Sequence, residues 1–192
     1  MAFIFFVATA PAVGRSEDVT HCIEGLDASN GDQYAKAIGL FNFCIENGNL
    51  SQESLVSTYR NIGIAYRMTQ QPAKTVAAAN SAIALHPLDV ANDYVNRGNA
   101  YDDEGKSAKA LTDYKHALEL SPNNVQALYN RGVSYEHQKE FAKAQSDFIA
   151  AFNHGLRSTL LHERLVMYRL IKPGNPGEWT PLPPDSSEQD ER

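Results

Sequence analysis

The residue types that most often carry catalysis are scattered along this 192-residue chain. No two histidines have the i, i+4 spacing with which imidazoles on one helix face bind zinc, and no His-Glu-x-x-His is present. Nucleophile turns of the Gly-x-Ser-x-Gly kind and glycine-rich phosphate loops are missing as well. We therefore expect no catalytic residue, no metal site and no cofactor, and we do not expect an enzyme. The histidines are His21, His86, His116, His137, His154 and His162.

The charge balance narrows the choice of partners. The net charge is −6, from 17 basic and 23 acidic residues, and no basic run occurs. Proteins that bind nucleic acids usually concentrate Lys and Arg on one face or in one segment. The composition therefore indicates a protein that does not bind nucleic acid, and 43% apolar residues are enough to build a core.

The first fourteen residues, MAFIFFVATAPAVG, resemble a secretory signal. Their apolar run is followed by Ala10-Pro11-Ala12, a small-x-small cleavage pattern. The run is too short to cross a bilayer as a helix. We expect a signal peptide over residues 1–14, a periplasmic or secreted protein, and no stable membrane insertion after cleavage. No Lys or Arg precedes the run, so either the true start lies upstream or the signal is weak. A buried N-terminal helix or strand is the alternative.

The elements that must position any functional residue follow a 34-residue period. A small or aromatic residue recurs at matching positions in two consecutive segments, and a fixed period of this length indicates stacked helical hairpins. Gly98, Tyr101, Ala110, Tyr114 and Ala117 recur as Gly132, Tyr135, Ala144, Phe148 and Ala151.

These two segments carry a family resemblance. NRGNAYDDEGKSAKALTDYKHALELSPNN resembles the tetratricopeptide repeat, and NRGVSYEHQKEFAKAQSDFIAAF is similar to it over the same positions. The resemblance implies an all-α protein, a right-handed solenoid of about four helix-turn-helix hairpins whose first helices line a concave face.

The repeat can be extended in both directions along the chain. The second unit departs from the family pattern at Thr75 and Ala79, where an alanine and an aromatic are usual, so its second helix should pack closer but bury less surface. The predicted segments are a degenerate hairpin at 18–51, hairpins at 56–89, 91–124 and 125–157, a capping helix at 158–171, and a disordered, proline-rich acidic tail at 172–192.

Both cysteines lie in the first unit. In an antiparallel hairpin, contacting positions have a constant sum, and the later units place repeat positions eight and twenty-four opposite each other. Cys22 at position five and Cys44 at position twenty-seven give the same sum and should face each other. In an exported protein such a pair favours a disulfide, whereas two buried thiols acting as small apolar residues are the alternative.

The resemblance also implies a binding face. The sixth position of the first helix is asparagine in three units: Asn61, Asn96 and Asn130. An asparagine side chain has both a donor and an acceptor, so such a ladder can hold the backbone of an extended peptide; alternatively, these side chains bridge neighbouring hairpins. The other residues predicted to contact a peptide from this face are Arg60, Arg67, Asn99, Tyr129 and His137.

The sequence therefore predicts a protein- or peptide-binding adaptor or scaffold that uses its concave groove and catalyses no reaction. Two alternatives remain open. One is a structural module in which end units of different chains associate. The other is an accessory subunit of a cell-envelope enzyme complex.

Overall fold

The computed structural model describes residues 16–85 and 90–170, and within them the chain forms nine helices and no strand. The prediction of an all-helical repeat fold is confirmed. The signal peptide expected at 1–14 and the tail expected at 172–192 lie outside these residues. The helices are α1 Ser16–Asn30, α2 Tyr34–Asn47, α3 Gln52–Met68, α4 Pro72–Leu85, α5 Ala91–Asp103, α6 Ser107–Leu120, α7 Val125–His137, α8 Phe141–Asn153 and α9 Thr159–Met167.

The chain divides into two compact units, Met1–Asp113 and Tyr114–Arg192, with the boundary inside α6. In the first unit, α1 packs on α2 and α3 on α4, and α2 and α4 each pack on the helix that follows. The first helices of successive hairpins also meet, α1 with α3 and α3 with α5. This contact between first helices creates the surface on which the predicted ligand face lies.

Local sequence signals set the ends of the helices in the first unit. Ser51 caps α3, and its hydroxyl oxygen accepts a hydrogen bond from the Ser54 N–H at 3.2 Å. Pro72 is the first residue of α4, where a missing N–H removes no intrahelical hydrogen bond. Ser51 and Pro72 therefore define where α3 and α4 begin.

The close approach of paired helices depends on glycines that face aromatic rings. A Cβ on Gly25 would lie 2.8 Å from the Phe41 ring, and one on Gly132 would lie 2.6 Å from the Phe148 ring. Real Cβ atoms do not come so close to a ring, so any larger residue would push the helices apart. The predicted pairing of positions eight and twenty-four is confirmed in these two hairpins.

The second unit contains α7 packed on α8 and α8 packed on α9. Helix α8 ends in a Schellman motif, with Gly155 at a φ of 97° and the Leu156 N–H donating to the Ala151 carbonyl at 2.9 Å. Ser158 then caps α9, whose Leu161 and Leu165 are buried. A short final helix that covers the last hairpin is typical of repeat proteins.

Within the two described ranges, no helix combines the length and the apolar character that crossing a membrane requires.

Candidate peptide-binding groove

A groove in the first unit lies where α3, α4 and α5 meet. Its walls come from the first helices α3 and α5, and its floor comes from α4. The residues that line it are Tyr59, Arg60, Gly63, Ile64, Arg67, Met68, Thr75, Ala79, Asp93 and Asn96. Three predicted site residues, Arg60, Arg67 and Asn96, are therefore brought together.

The wall of the groove formed by α3 carries an apolar strip beside Arg60 and Arg67. Ile64 and Met68 are 39% and 55% exposed and follow each other at i, i+4 on α3. Residues four apart lie on one helix face, so the two side chains form a continuous strip. Ala79 and Gly63 extend this apolar surface inward. The groove can therefore bury a ligand's apolar surface.

Arg60 forms a charge pair across the groove. Its Nε and Nη2 lie 2.9 Å and 2.8 Å from Asp93 Oδ1 and Oδ2, so the guanidinium holds the carboxylate with two parallel hydrogen bonds. The Asp93 side chain is only 1% exposed, whereas that of Arg60 is 31% exposed. The pair joins α3 to α5, and the charge of Arg60 is already balanced within the protein.

Arg67 forms a weaker pair at the rim of the groove. Its Nε lies 3.3 Å from Asp103 Oδ2, and both side chains are about half exposed. Solvent-exposed pairs of this kind contribute little to stability, because water screens them. Either residue can therefore leave this ion pair and pair instead with a charged group of a ligand at low cost.

The asparagine ladder is not uniform. Asn96 is half-buried and lines the groove. Asn61 is buried, with 7% of its surface exposed, and is not among the lining residues. Asn99 is half-buried and also lies outside the lining set. In the first unit, then, one of the predicted asparagines faces the groove.

In the second unit, side chains of α9 and of Tyr168, which follows it, contact residues on the corresponding face of α7. Arg164 donates to Glu136 at 2.7 Å, and the Tyr168 hydroxyl donates to the same carboxylate at 2.9 Å. The Arg164 guanidinium also lies 5.8 Å from the centre of the Tyr129 ring. Tyr129, beside Arg164, and Asn130 are half-buried, and His137 is exposed.

Burial raises the pKa of two tyrosines in this unit. It raises the pKa of Tyr129 above its ordinary value of 10.0, although Arg164 acts in the opposite direction. Burial and the hydrogen bond to Glu136 raise the pKa of Tyr168 to about 12. Both hydroxyls therefore stay protonated at neutral pH and act as neutral hydrogen-bonding groups.

The cysteines predicted to face each other form a disulfide in the structure. Cys22 lies on α1 and Cys44 on α2, with their Cα atoms 5.5 Å apart, which is within the usual range for a bridged pair. Both side chains are buried. The bond links the two helices of the first hairpin, and Cys22 Sγ lies 3.9 Å from the hydroxyl of Thr58 on α3.

The sequence interpretation missed Asp93, the most buried charged group of the groove. It lies 33 residues after Arg60, close to one repeat period, and that spacing of opposite charges was the signal available. Ala79 was noticed as a departure from the repeat pattern, but not as part of a site. In the part of the chain that the structure describes, no three His, Cys, Asp or Glu residues form a group that could hold a metal ion.

Comparisons with known proteins agree with this architecture. Residues 98–139 match the family model described as TPR repeat. Photosystem I assembly protein Ycf3 of Acaryochloris marina is 35% identical over 91 residues, which are 46% of this chain and 55% of Ycf3. The chain therefore spans about half the length of this curated relative.

Solved structures show the same fold at lower identity. The crystal structure of MamA has a TM-score of 0.63 at 22% identity, covering 79% of this chain and 82% of MamA. YrrB, described as a TPR protein with an unusual peptide-binding site, has a TM-score of 0.64 at 19% identity, covering 79% of this chain and 75% of YrrB. Residues 98–139 thus match a TPR repeat, and the likeness to the solved structures shows an all-α helical repeat fold.

Proposed function

We propose that this protein is a non-catalytic adaptor that binds an extended protein segment in the groove between α3 and α5. The observation that carries the proposal is the strip of Ile64 and Met68, which leaves two large apolar side chains exposed between the Arg60–Asp93 and Arg67–Asp103 pairs. Exposed apolar surface rimmed by polar groups is typical of interaction sites.

The rigidity of the groove supports the same function. The Arg60–Asp93 pair connects the two walls. Gly63 packs against α4, and a Cβ added to it would lie 3.5 Å from the Cβ of Ala78. A groove formed before binding lowers the entropy cost of ordering the site, so more of the contact energy appears as affinity. The Asn96 amide, half-buried at the groove, offers a donor and an acceptor to a peptide backbone.

Two of the similar proteins point the same way. YrrB is described as having a peptide-binding site, and Ycf3 is named as an assembly protein. Both descriptions fit a repeat protein that holds another chain. They support binding as a general role, and the choice of groove rests on the structure of this protein.

A peptide array gives the direct test. Labelled protein is applied to immobilised random-sequence 12-residue peptides, and the Ile64→Ser, Met68→Ser double variant is tested beside it. The matched control is Ile149→Ser, Met167→Ser, which removes the same residue types at 38% and 62% exposure from the second unit. We expect peptides that bind the wild type and the control but not the groove variant.

Two results would overturn the proposal. One is that no peptide binds the wild-type protein above background. The other is that the groove variant, shown by circular dichroism to be as helical as the wild type, retains every peptide. Sedimentation of the protein without peptide distinguishes the self-association alternative, because only that alternative requires a mass that rises with concentration.

We also propose that the protein is exported. The motif at 1–14 and the disulfide between Cys22 and Cys44 support this, because structural disulfides persist in oxidising compartments. Expression of the full chain followed by mass spectrometry of the cell-envelope fraction tests it. We expect a mature chain that starts near Val13 or Arg15, and an uncleaved chain found only in the cytoplasm would contradict the proposal.

A further inference from the structure

The second hairpin lacks a ring that the other three possess. Phe41, Tyr114 and Phe148 occupy one repeat position, and each is at most 1% exposed. The second hairpin has Ala79 there. A buried aromatic contributes a large apolar surface to a core, so its replacement by a methyl group leaves either a collapsed interface or an unfilled space.

The fourth hairpin shows what the ring fills. Phe148 packs against Gly132 on α7 and lies with its ring centre 5.7 Å from that of Tyr129 and 6.1 Å from that of Tyr168. The ring thus occupies the space between the first helix of its own hairpin and the helix that follows, α9. Tyr129 stands at the repeat position that Arg60 holds in the second hairpin.

In the second hairpin this space is open. Gly63, Thr75 and Ala79, at the positions of the glycine, the small residue and the ring, all line the groove. The whole groove, which includes this space, has a volume of about 50 Å³. That is more than the roughly 10–15 Å³ that one water needs and less than the roughly 150 Å³ that encloses benzene. Part of a ring therefore fits in the groove beside Ala79, and the rest of the side chain lies at the opening of the groove.

The closer packing of α4 accounts for the reduced volume. The Thr75 hydroxyl lies 3.4 Å from the Gly63 carbonyl and 3.3 Å from the Gln71 carbonyl, and the Cβ of Ala78 would lie 3.5 Å from a Cβ on Gly63. The space did not close completely, because Ala79 has no atoms beyond Cβ with which to fill it. Helix α4 is thus held near α3 beside an open apolar hole.

We propose that this hole accepts one aromatic side chain of the bound segment, a phenylalanine in the simplest case, which supplies the ring that Ala79 does not. The proposal rests on the function proposed above and names its anchor residue. Ile64 and Met68 cover the part of the ring that stays in the groove, because both line it and remain exposed.

The charges around the hole favour an uncharged anchor. Arg60 is neutralised by Asp93, and Arg67 is paired with Asp103. An acidic anchor would leave Asp93 beside a second negative charge, and a basic anchor would compete with Arg60 for a carboxylate that is 1% exposed. Either change costs desolvation, because the Arg60–Asp93 pair is closed on itself and the exchangeable Arg67–Asp103 pair lies at the exposed rim. An aromatic side chain avoids both costs.

The first test places a ring of the protein itself in the space beside Ala79. Ala79→Phe restores the residue type of the sibling hairpins, and Ala77→Phe is the control, because Ala77 lies on the same helix but is exposed. Circular dichroism establishes that each variant is folded, and Ala79→Leu is a smaller filling residue if the ring disturbs the helices. We expect the filled variant to bind array peptides about tenfold more weakly or worse, while Ala77→Phe binds as the wild type does.

A second measurement needs no variant. Wild-type protein labelled at its Ala, Ile and Met methyl groups is titrated with N-acetyl-phenylalanine amide, N-acetyl-alanine amide and N-acetyl-glutamine amide, and methyl spectra are recorded by NMR. The proposal predicts shifts of Ala79, Ile64 and Met68 with the phenylalanine probe only.

The results separate this inference from the proposed function. If peptides still bind the folded Ala79→Phe variant at wild-type strength but not the Ile64→Ser, Met68→Ser variant, the groove is the site and the ring-sized hole is not used. If the phenylalanine probe shifts no methyl group near Ala79, or shifts it no more than the alanine probe does, the aromatic anchor is overturned. If no peptide binds at all, the proposed function fails first.

Discussion

Arg131 donates two hydrogen bonds to the carboxylate of Asp147 within the fourth hairpin. Its Nε and Nη2 lie 2.8 Å and 2.7 Å from the two carboxylate oxygens. Asp147 is 7% exposed and Arg131 is 22% exposed. The hydrogen bond to Asp147 raises the pKa of Arg131, so the guanidinium stays charged. Arg97 and Asp113 repeat this geometry in the third hairpin. The second hairpin instead has Ile62 and Ala78 at the equivalent positions.

The difference between the ion pair of the fourth hairpin and the apolar pair of the second leads to the first prediction. Asp147→Ala leaves a half-buried guanidinium without its carboxylate, and we expect the free energy of unfolding to fall by about 3 kcal/mol. Arg131→Ile together with Asp147→Ala copies the second hairpin and should recover most of that loss. Urea unfolding followed by circular dichroism measures both. A double variant no more stable than Asp147→Ala would contradict the interpretation that an apolar pair can replace the ion pair.

The hydroxyl of Tyr168 gives a prediction about pH. Its pKa is raised from 10.0 to about 12, so the folded protein favours the neutral hydroxyl. The stabilisation from this group is fully present below pH 10 and is lost as the pH rises through 12. Carbon-13 NMR of the labelled tyrosine ring should show one resonance titrating near 12 that disappears in Tyr168→Phe. Titration near 10 would show that neither the burial of the hydroxyl nor its hydrogen bond to Glu136 persists in solution.

The disulfide gives a prediction about local stability. Cys22 and Cys44 are separated by 22 residues, and closing a loop of this length stabilises the folded state by about 3 kcal/mol in the chain-entropy picture. Reduction, or Cys22→Ser with Cys44→Ser, should raise amide hydrogen exchange in α1 and α2 and leave α7 and α8 unchanged. If reduction left the exchange rates of α1 and α2 unchanged, or raised the rates of all helices equally, the prediction would be wrong. Alkylation without reductant should leave the mass of the isolated protein unchanged.

One helix end offers a stabilising substitution. Lys139 follows α7 with a φ of 62°, a conformation that glycine adopts at less cost, and Gly105 occupies the matching place after α5 with a φ of 72°. We expect Lys139→Gly to raise the free energy of unfolding by about 1 kcal/mol. Thermal unfolding measures it, and Gly105→Lys is the reciprocal control that should lower stability. A lower melting temperature for Lys139→Gly would show that the side chain contributes more than the strain costs.

The sequence predicted the features that depend on local spacing. The 34-residue period requires helical hairpins, and Gly132 opposite Phe148 follows from it, because only a residue without a side chain permits the ring to approach. The constant sum of contacting positions likewise placed Cys22 opposite Cys44. These relationships lie within one hairpin, where the turn fixes the register of the two helices.

Contacts between hairpins could not be predicted in the same way. The partner of Arg60 depends on how far α5 is displaced along α3, and a shift of one turn would replace Asp93 by another residue. How much space remains beside Ala79 depends on how closely α4 packs against α3. The substitution was visible in the sequence, but only the structure shows that the hole stays open.

The most direct test of the groove is a map of where a peptide binds. Protein labelled with nitrogen-15 is titrated with the strongest peptide from the array, and amide shifts are recorded by NMR. We predict the largest changes on α3 and α5, around Ile64, Met68 and Asn96. Changes confined to α8 and α9, with α3 and α5 unaffected, would contradict the central claim that the groove between α3 and α5 is the binding site.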